Sequence, residues 1–502
     1  DFEKYYQEAA QKSLEQAVAL DPEFAMAYLL LSQTAVNLFD FDLGREAMEK
    51  AFHYAAKASE KERLYIAAGH AETIERDTER QLRLLQELVR KYPDEKYALF
   101  ALGRRFQERR AYPEAIAALE RAVALDPGFG FAVNQLAYAH AMSGNFDEAL
   151  RLFERYAALS PADANPLDSI GETYIRMGRL DLAEAKYREA LELKPDFYSS
   201  CPALMYIDCL REDYAGADHW VEEFGRRAPA PSARAAAAWI KAFADYFLGR
   251  WDAALDGYEG IRAQARAAGQ VQAVANADWI MAFLYRDRGE PDAANEAMRR
   301  YVDQIENSGS SFSAFEKTGR VFFQGWVDLV NGKPADAARR AIEMEPLLSR
   351  VDPADAAQAT FLYRLLRAEA ALAGNDVERA VSFGREIVPL DLPRMALDTV
   401  PVYNQPWLKD VLARAYWKKG DLDAAAAEYR KLTTIDPSNQ VRLMISPLYH
   451  YRLGRVLEEK GDKAGAAVEY RKFLEYWKDA DKTHPELADA RTRLAALEPS
   501  GA

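Results

Sequence analysis

The sequence predicts an all-α fold: a right-handed superhelical solenoid of about twelve helical hairpins, closed at the C-terminal end by a capping helix. Three observations carry this reading. A block of 34 residues recurs along the chain with the same chemistry at the same places. Alanine is abundant within a hydrophobic content of 49%, which suits close helix packing. Alternating runs rich in Val, Ile and Thr, the mark of strands, are missing from the sequence. At 502 residues the chain exceeds a single core, but a solenoid grows by stacking units and meets no such limit.

Residues 96–129, 130–163 and 164–197 are the clearest blocks. Leu99, Val133 and Leu167 open the first helix of each. The pairs Leu102-Gly103, Leu136-Ala137 and Ile170-Gly171 follow, and their small member lets the partner helix approach. Ala115, Ala149 and Ala183 do the same from the second helix. Leu119, Phe153 and Tyr187, four residues later, fill the space between hairpins. Pro127, Pro161 and Pro195 stop the second helix, because proline lacks the N–H and restricts the residue before it. Asp126-Pro127 is echoed at Asp21-Pro22 and Asp436-Pro437.

The pattern extends outward. A leading half-unit carries Ala10, Leu14, Ala17 and Pro22, and further units cover 25–58, 62–95, 406–439 and 447 to about 480. Residues 198–234 keep Ala217 but place Asp208 where an aromatic is usual. Hairpins around Gly249, Gly289, Gly332 and Gly374 keep the turn glycine and gain length, which we assign to their linkers. A helix from His484 to Leu497 is the expected cap. The chain thus divides into a regular array over 1–234, longer divergent repeats with inserted loops over 235–405, and two repeats plus the cap over 406–502. Two segments break the rhythm. Val388–Pro406 holds Pro389, Pro393, Pro401 and Pro406 among apolar residues and is expected to pack against the next hairpin, or else to line or lid the groove. Ile305–Lys317 is rich in Ser and Gly and reads as a connection.

These residues resemble the tetratricopeptide repeat. The resemblance implies a non-catalytic scaffold whose first helices line a concave groove through the second, fifth, ninth and twelfth residues of each repeat. In the divergent region those places hold Trp239, Phe243, Trp279, Phe283, Phe322 and Trp326, followed by Trp407, Arg414 and Trp417. Aromatic and arginine side chains are enriched at binding hot spots. In the regular region they hold Arg104, Asn134, Tyr138, Asn165, Glu172 and Arg176, a more polar groove. The clamp by which some family members hold a chaperone's C-terminal carboxylate is not reproduced by Phe100, Arg104, Asn134 and Asn165. The segments 58–66, 88–103 and 473–497 also resemble the C-terminal repeat region of large bacterial regulators. In those proteins a kinase, a cyclase or a winged-helix DNA-binding domain precedes the repeats, so the resemblance leaves two expectations: an upstream effector domain or larger assembly, or a free-standing member.

A formal net charge of −14 argues against general binding of nucleic-acid backbones or anionic membranes. Cys201 and Cys209, placed on one helix, stand about 12 Å apart along its axis, too far for a mutual disulfide. No apolar run is long enough to span a bilayer, and no signal peptide is visible. The expected compartment is the cytoplasm, or the periplasm or exterior if a cleaved signal once preceded Asp1. No Walker loop, GxGxxG, GxSxG or HExxH occurs, and the six histidines are scattered. The expectation is therefore no enzyme, no cofactor and no metal, with a protein or peptide as partner. A structural subunit of an assembly or filament, and a small-ligand sensor, are the alternatives.

Overall fold

The computed structural model describes residues 7–38, 40–228, 231–307, 313–353, 355–389, 409–434 and 445–498. Most of Val388–Pro406, Trp407, Asp436-Pro437 and the centre of Ile305–Lys317 lie outside them. The described residues form 26 α-helices and no strand, in the hairpin solenoid expected. The chain divides into two compact units, residues 1–177 with 188–194, and 178–187 with 195–502.

The first unit contains α1 (Gln7–Leu20), α2 (Ala25–Asn37), α3 (Phe41–Tyr54), α4 (Glu60–Thr73), α5 (Thr78–Lys91), α6 (Lys96–Glu108), α7 (Tyr112–Leu125), α8 (Gly130–Met142), α9 (Phe146–Leu159) and α10 (Asn165–Arg176). Helix α11 (Leu180–Leu193) straddles the division. Side-chain caps set several helix starts: Asp40 and Asp77 accept backbone N–H groups at α3 and α5, and Ser59 with Glu62 makes a reciprocal capping box at α4. Leu99, Val133, Ala115, Ala149, Leu119 and Phe153 are all fully buried, as their places in the repeat require. The closing prolines have a second use. Arg121 donates to the Pro93 carbonyl (3.3 Å) and Arg155 to the Pro127 carbonyl (2.7 Å), so a second-helix arginine ties each hairpin to the end of the one before.

Gly103 shows why the small residue is needed. A Cβ there would lie 2.5 Å from Leu119 Cγ on the partner helix. Gly103→Ala is expected to destabilise the first unit by about 1–3 kcal/mol through overpacking. Urea unfolding followed on that unit's signals checks it; an unchanged midpoint would show that Leu119 can move aside.

The second unit contains α12 (Ser200–Leu210), α13 (Tyr214–Arg227), α14 (Pro231–Phe247), α15 (Trp251–Ala267), α16 (Val271–Asp287), α17 (Pro291–Asn307), α18 (Ala314–Val330), α19 (Pro334–Leu348), α20 (Ala356–Ala373), α21 (Val377–Arg385), α22 (Val411–Lys419), α23 (Leu422–Thr433), α24 (Pro447–Lys460), α25 (Lys463–Tyr476) and α26 (Pro485–Leu497). Around Gly249 and Gly289 the extra length lies in the helices rather than, as the sequence suggested, in the linkers. Helices α14 to α18 have 17 residues each, against 13 or 14 in α2 to α9. Longer helices bring polar side chains into the packed faces, where they must be paired. Asp278, fully buried, accepts from Arg262 (3.0 Å), Arg300 (2.7 Å) and Gln304 (3.0 Å). Asp245 is held in the same way by Lys241 and Arg250.

Each hairpin of this unit packs on the next, and the last packs on the first two. The Tyr214 hydroxyl donates to the Ile445 carbonyl (2.8 Å), and the Tyr214 ring meets Tyr476 edge-on (4.9 Å). Trp477, 1% exposed, donates from Nε1 to the Phe247 carbonyl (3.3 Å) and meets Trp251 edge-on. His484 Nε2 lies 2.6 Å from the Gly249 carbonyl, and Asp481 accepts from the Asp252 N–H (3.0 Å). Gly249 makes this possible. Its φ of +76° is left-handed, and a Cβ would sit 2.9 Å from both Trp477 and Ala480. The path of consecutive packing therefore returns to its start, and the second unit is closed by a seam between α12–α15 and the segment from Ile445 to His484. Beyond the seam α26 covers the last hairpin, with Leu487 and Ala490 buried, Arg493 paired with Glu458 (3.0 Å), and the Tyr451 hydroxyl bonded to Asp489 (2.8 Å).

Candidate interaction surface

In the first unit, contacts between first helices of successive hairpins identify the side chains that share one face. Phe100 of α6 stacks on Phe131 of α8 (6.3 Å), and Gln107 Nε2 reaches Met142 Sδ (3.7 Å). The Tyr138 hydroxyl lies 3.0 Å from Ser169 Oγ and 3.3 Å from Glu172 Oε2 on α10. Tyr97, Phe100, Phe129 and Phe131 form an aromatic cluster, and Tyr97 keeps 41% of its surface exposed. Lys96 lies over the Tyr97 and Phe129 rings and also pairs with Asp126 (2.7 Å). Arg104 is exposed, its nearest carboxylate being Glu108 one turn on (3.6 Å). Asn165 is half-buried at the start of α10, and Arg176 pairs with Glu172 (3.5 Å).

Asn134, in the middle of this face, is 3% exposed, and its Oδ1 has no hydrogen-bond partner within the protein. An unmet buried acceptor costs about 1–3 kcal/mol. The face also carries charge. Glu72 accepts from Gln81 (2.7 Å), which in turn accepts from the buried Arg105 (2.7 Å). Aromatic surface and an exposed guanidinium are groups of the kind that hold a peptide's apolar and acidic side chains.

The second unit treats its candidates differently. Phe243, Phe283, Phe322 and Trp326 are 4%, 1%, 0% and 6% exposed, and so present little surface. Trp279 is half-buried in a cluster with Phe283 (5.3 Å), Tyr301 (5.0 Å) and Phe323 (4.5 Å). Trp239, also half-buried, meets Tyr258 edge-on (5.1 Å). Trp417 donates to Glu459 (2.8 Å) and lies under Arg455 (5.6 Å). Arg414 binds Asp410 through Nε (2.8 Å) and grips Glu369 with both terminal nitrogens.

Sequence reading missed the partners of Arg414. Asp410, fully buried, accepts from Arg414, Arg452 and the Tyr429 hydroxyl (3.1 Å), so one carboxylate joins α22, α23 and α24. Burial pushes its carboxyl up, but the two guanidinium charges outweigh this and hold it below the usual range. Glu369, also buried, is raised by burial despite Arg414. Repeat position gave no sign of this network, since Asp410 precedes the periodic part of α22. Cys201 and Cys209 both lie on α12, buried and unpaired, and burial pushes the Cys201 thiol up to about 11. Among the described residues no helix is long and apolar enough to cross a membrane.

Comparison with known proteins places tetratricopeptide repeats in the chain. Models of that family match residues 76–128, 106–169, 165–197 and 410–439. Anaphase-promoting complex subunit 3 of Schizosaccharomyces pombe is 24% identical over 111 residues, 22% of this chain and 16% of that protein. A TPR repeat-containing protein of Pseudomonas aeruginosa is 28% identical over 134 residues, 26% of this chain and 23% of that protein. This chain thus spans less than a quarter of the length of either relative. Among solved structures, a thermophilic TPR protein of Thermus thermophilus is 22% identical and covers 35% of this chain and 94% of its own, with a TM-score of 0.31.

Proposed function

We propose that the chain is a non-catalytic scaffold that holds an extended peptide of a protein partner on the concave face of its first unit. The observation that carries this is the exposed aromatic surface of Tyr97 beside the Phe100–Phe131 stack, with the exposed Arg104 guanidinium on the same helix face. An apolar side chain would lie on Tyr97 and Phe100, and an acidic residue would meet Arg104. The tetratricopeptide repeats at 76–197 support this reading, since the repeat serves as a protein-interaction scaffold.

The test is fluorescence anisotropy with a library of labelled extended peptides, half of them carrying an acidic residue. Binders are expected to weaken roughly tenfold in Tyr97→Ala, by loss of about 1.4 kcal/mol. Arg104→Glu should weaken only the acidic members. Equal affinity for wild type and both variants would remove the groove from consideration. A second reading, a subunit of a larger assembly, is favoured by the likeness to a subunit of the anaphase-promoting complex. Light scattering on the purified chain separates the two, because self-assembly raises the measured mass with concentration.

A further inference from the structure

The seam of the second unit is fastened at its centre by a histidine. His450, on α24, has no exposed side-chain surface. Its Nδ1 lies 2.6 Å from Glu469 on α25, and its Nε2 bonds to Glu212 in the α12–α13 turn, 238 residues away in sequence. From these observations we infer that the second unit is a clasp whose fastening depends on a proton held by His450.

The argument begins with donor counting. An ionised carboxylate can only accept, and a neutral imidazole has one N–H and one bare nitrogen. Two carboxylates on the two ring nitrogens are therefore satisfied together only by an imidazolium, which donates from both. Placing the proton on a carboxyl instead is opposed at Glu212, where Lys472 approaches to 3.7 Å. The groups facing His450 are thus Glu212 from the α12–α13 turn, and Glu469, Lys472 and the Tyr476 ring (5.6 Å) from α25. With the proton present, two positive and two negative charges balance. Without it, one carboxylate faces a bare nitrogen in a buried site, and the cluster is left negative.

The direction of the pH effect follows. Burial pushes the imidazole down, but hydrogen bonds to Glu212 and then Glu469 outweigh it and leave His450 above its ordinary value. Burial also pushes Glu212 up, yet its bond to His450 and the nearby Lys472 charge hold it low. A raised histidine contributes its full stabilisation below about 6.5, its unfolded value, and loses it as pH rises through the folded value. The clasp is therefore firm in mildly acidic solution and loosens towards alkaline pH. It fails again only in strong acid, where the carboxylates protonate. The arginine–carboxylate pairs of the second unit keep their charges throughout this range, and the other buried histidine of the seam, His484, faces a backbone carbonyl rather than a carboxylate.

The experiment is hydrogen exchange on the full chain from about pH 6 to about pH 9, corrected for the intrinsic dependence of exchange on pH. Protection across 445–476 and at the 211–215 turn is expected to fall roughly tenfold for each unit by which folding raises the His450 pKa. Helices α6 to α9 of the first unit serve as the internal reference and should not change. Glu469→Gln removes one carboxylate and should move the midpoint of the fall towards the ordinary imidazole value, and His450→Gln should abolish the fall. Protection at the seam that does not change with pH overturns the inference, as does a midpoint unmoved in Glu469→Gln. Glu469→Gln is decisive even if His450→Gln fails to fold.

Discussion

Trp477→Ala is expected to cost about 3–5 kcal/mol, the usual range for emptying a fully buried tryptophan site. The side chain lies against Trp251, Phe473 (5.1 Å) and His484 (4.7 Å), and it fills the space over Gly249 that any other residue would need. Its loss also strips the Phe247 carbonyl of a donor 230 residues away in sequence. The distribution of the damage is more informative than its size. In an open array each repeat depends only on its neighbours, so a change in the last hairpin frays that end alone. In a closed unit the same change also releases the first hairpins. Hydrogen exchange on Trp477→Ala should show lost protection both over 445–498 and at the turns around Glu212 and Gly249. Leu119→Ala, the matching change in the first unit, should weaken only α6 to α8 and their neighbours. Loss confined to 445–498 would mean that the seam contributes nothing to the hairpins it touches.

The parts of this fold legible in the sequence are those that each repeat encodes locally. Ala115, Leu119 and Pro127 recur at fixed spacing because every hairpin solves the same packing problem, and the structure buries the first two completely. The closing proline was readable as a helix stop but not as an acceptor, because the arginine that uses its carbonyl belongs to the next repeat. Closure was not legible at all. Trp477 and His484 look like ordinary residues of a terminal repeat, and their partners stand at a turn more than two hundred residues earlier. Gly249 carries the same ambiguity. Its left-handed φ is enough to explain a glycine at that turn, so the second requirement, room for Trp477, leaves no separate mark. The aromatic residues at groove positions illustrate the converse. Phe243, Phe283 and Phe322 share repeat positions with the groove candidates of the first unit, yet they are buried. Composition cannot distinguish an aromatic that faces a partner from one that fills the gap between repeats.

Asp410→Ala is expected to destabilise the second unit by about 3–5 kcal/mol, because it leaves Arg414 and Arg452 without their shared counter-charge in a buried site. Asp410→Asn separates charge from shape. The amide keeps an acceptor for the Tyr429 hydroxyl but offers two N–H donors towards guanidinium groups that can only donate. It should therefore cost nearly as much as alanine, whereas a pair held mainly by packing would tolerate it. The pH dependence supplies an independent check. Asp410 is lowered in the folded state, so its contribution is present above the ordinary aspartate value of 3.8 and is lost as pH falls through its folded value. Glu369 is raised, so its protonation on acidification favours the folded state and offsets part of that loss. Wild type should thus lose stability below about pH 4 with a slope that Asp410→Asn reduces. Urea midpoints measured between about pH 3 and pH 7 test this. An acid slope unchanged in Asp410→Asn would assign the acid sensitivity to other carboxylates and leave Asp410 a packing residue. The outcome also bears on Arg414, which the repeat pattern offers as a partner-binding group. If Asp410 and Glu369 hold it as tightly as their geometry implies, freeing it for a ligand costs the network itself, and binding belongs to the first unit, where Arg104 is exposed.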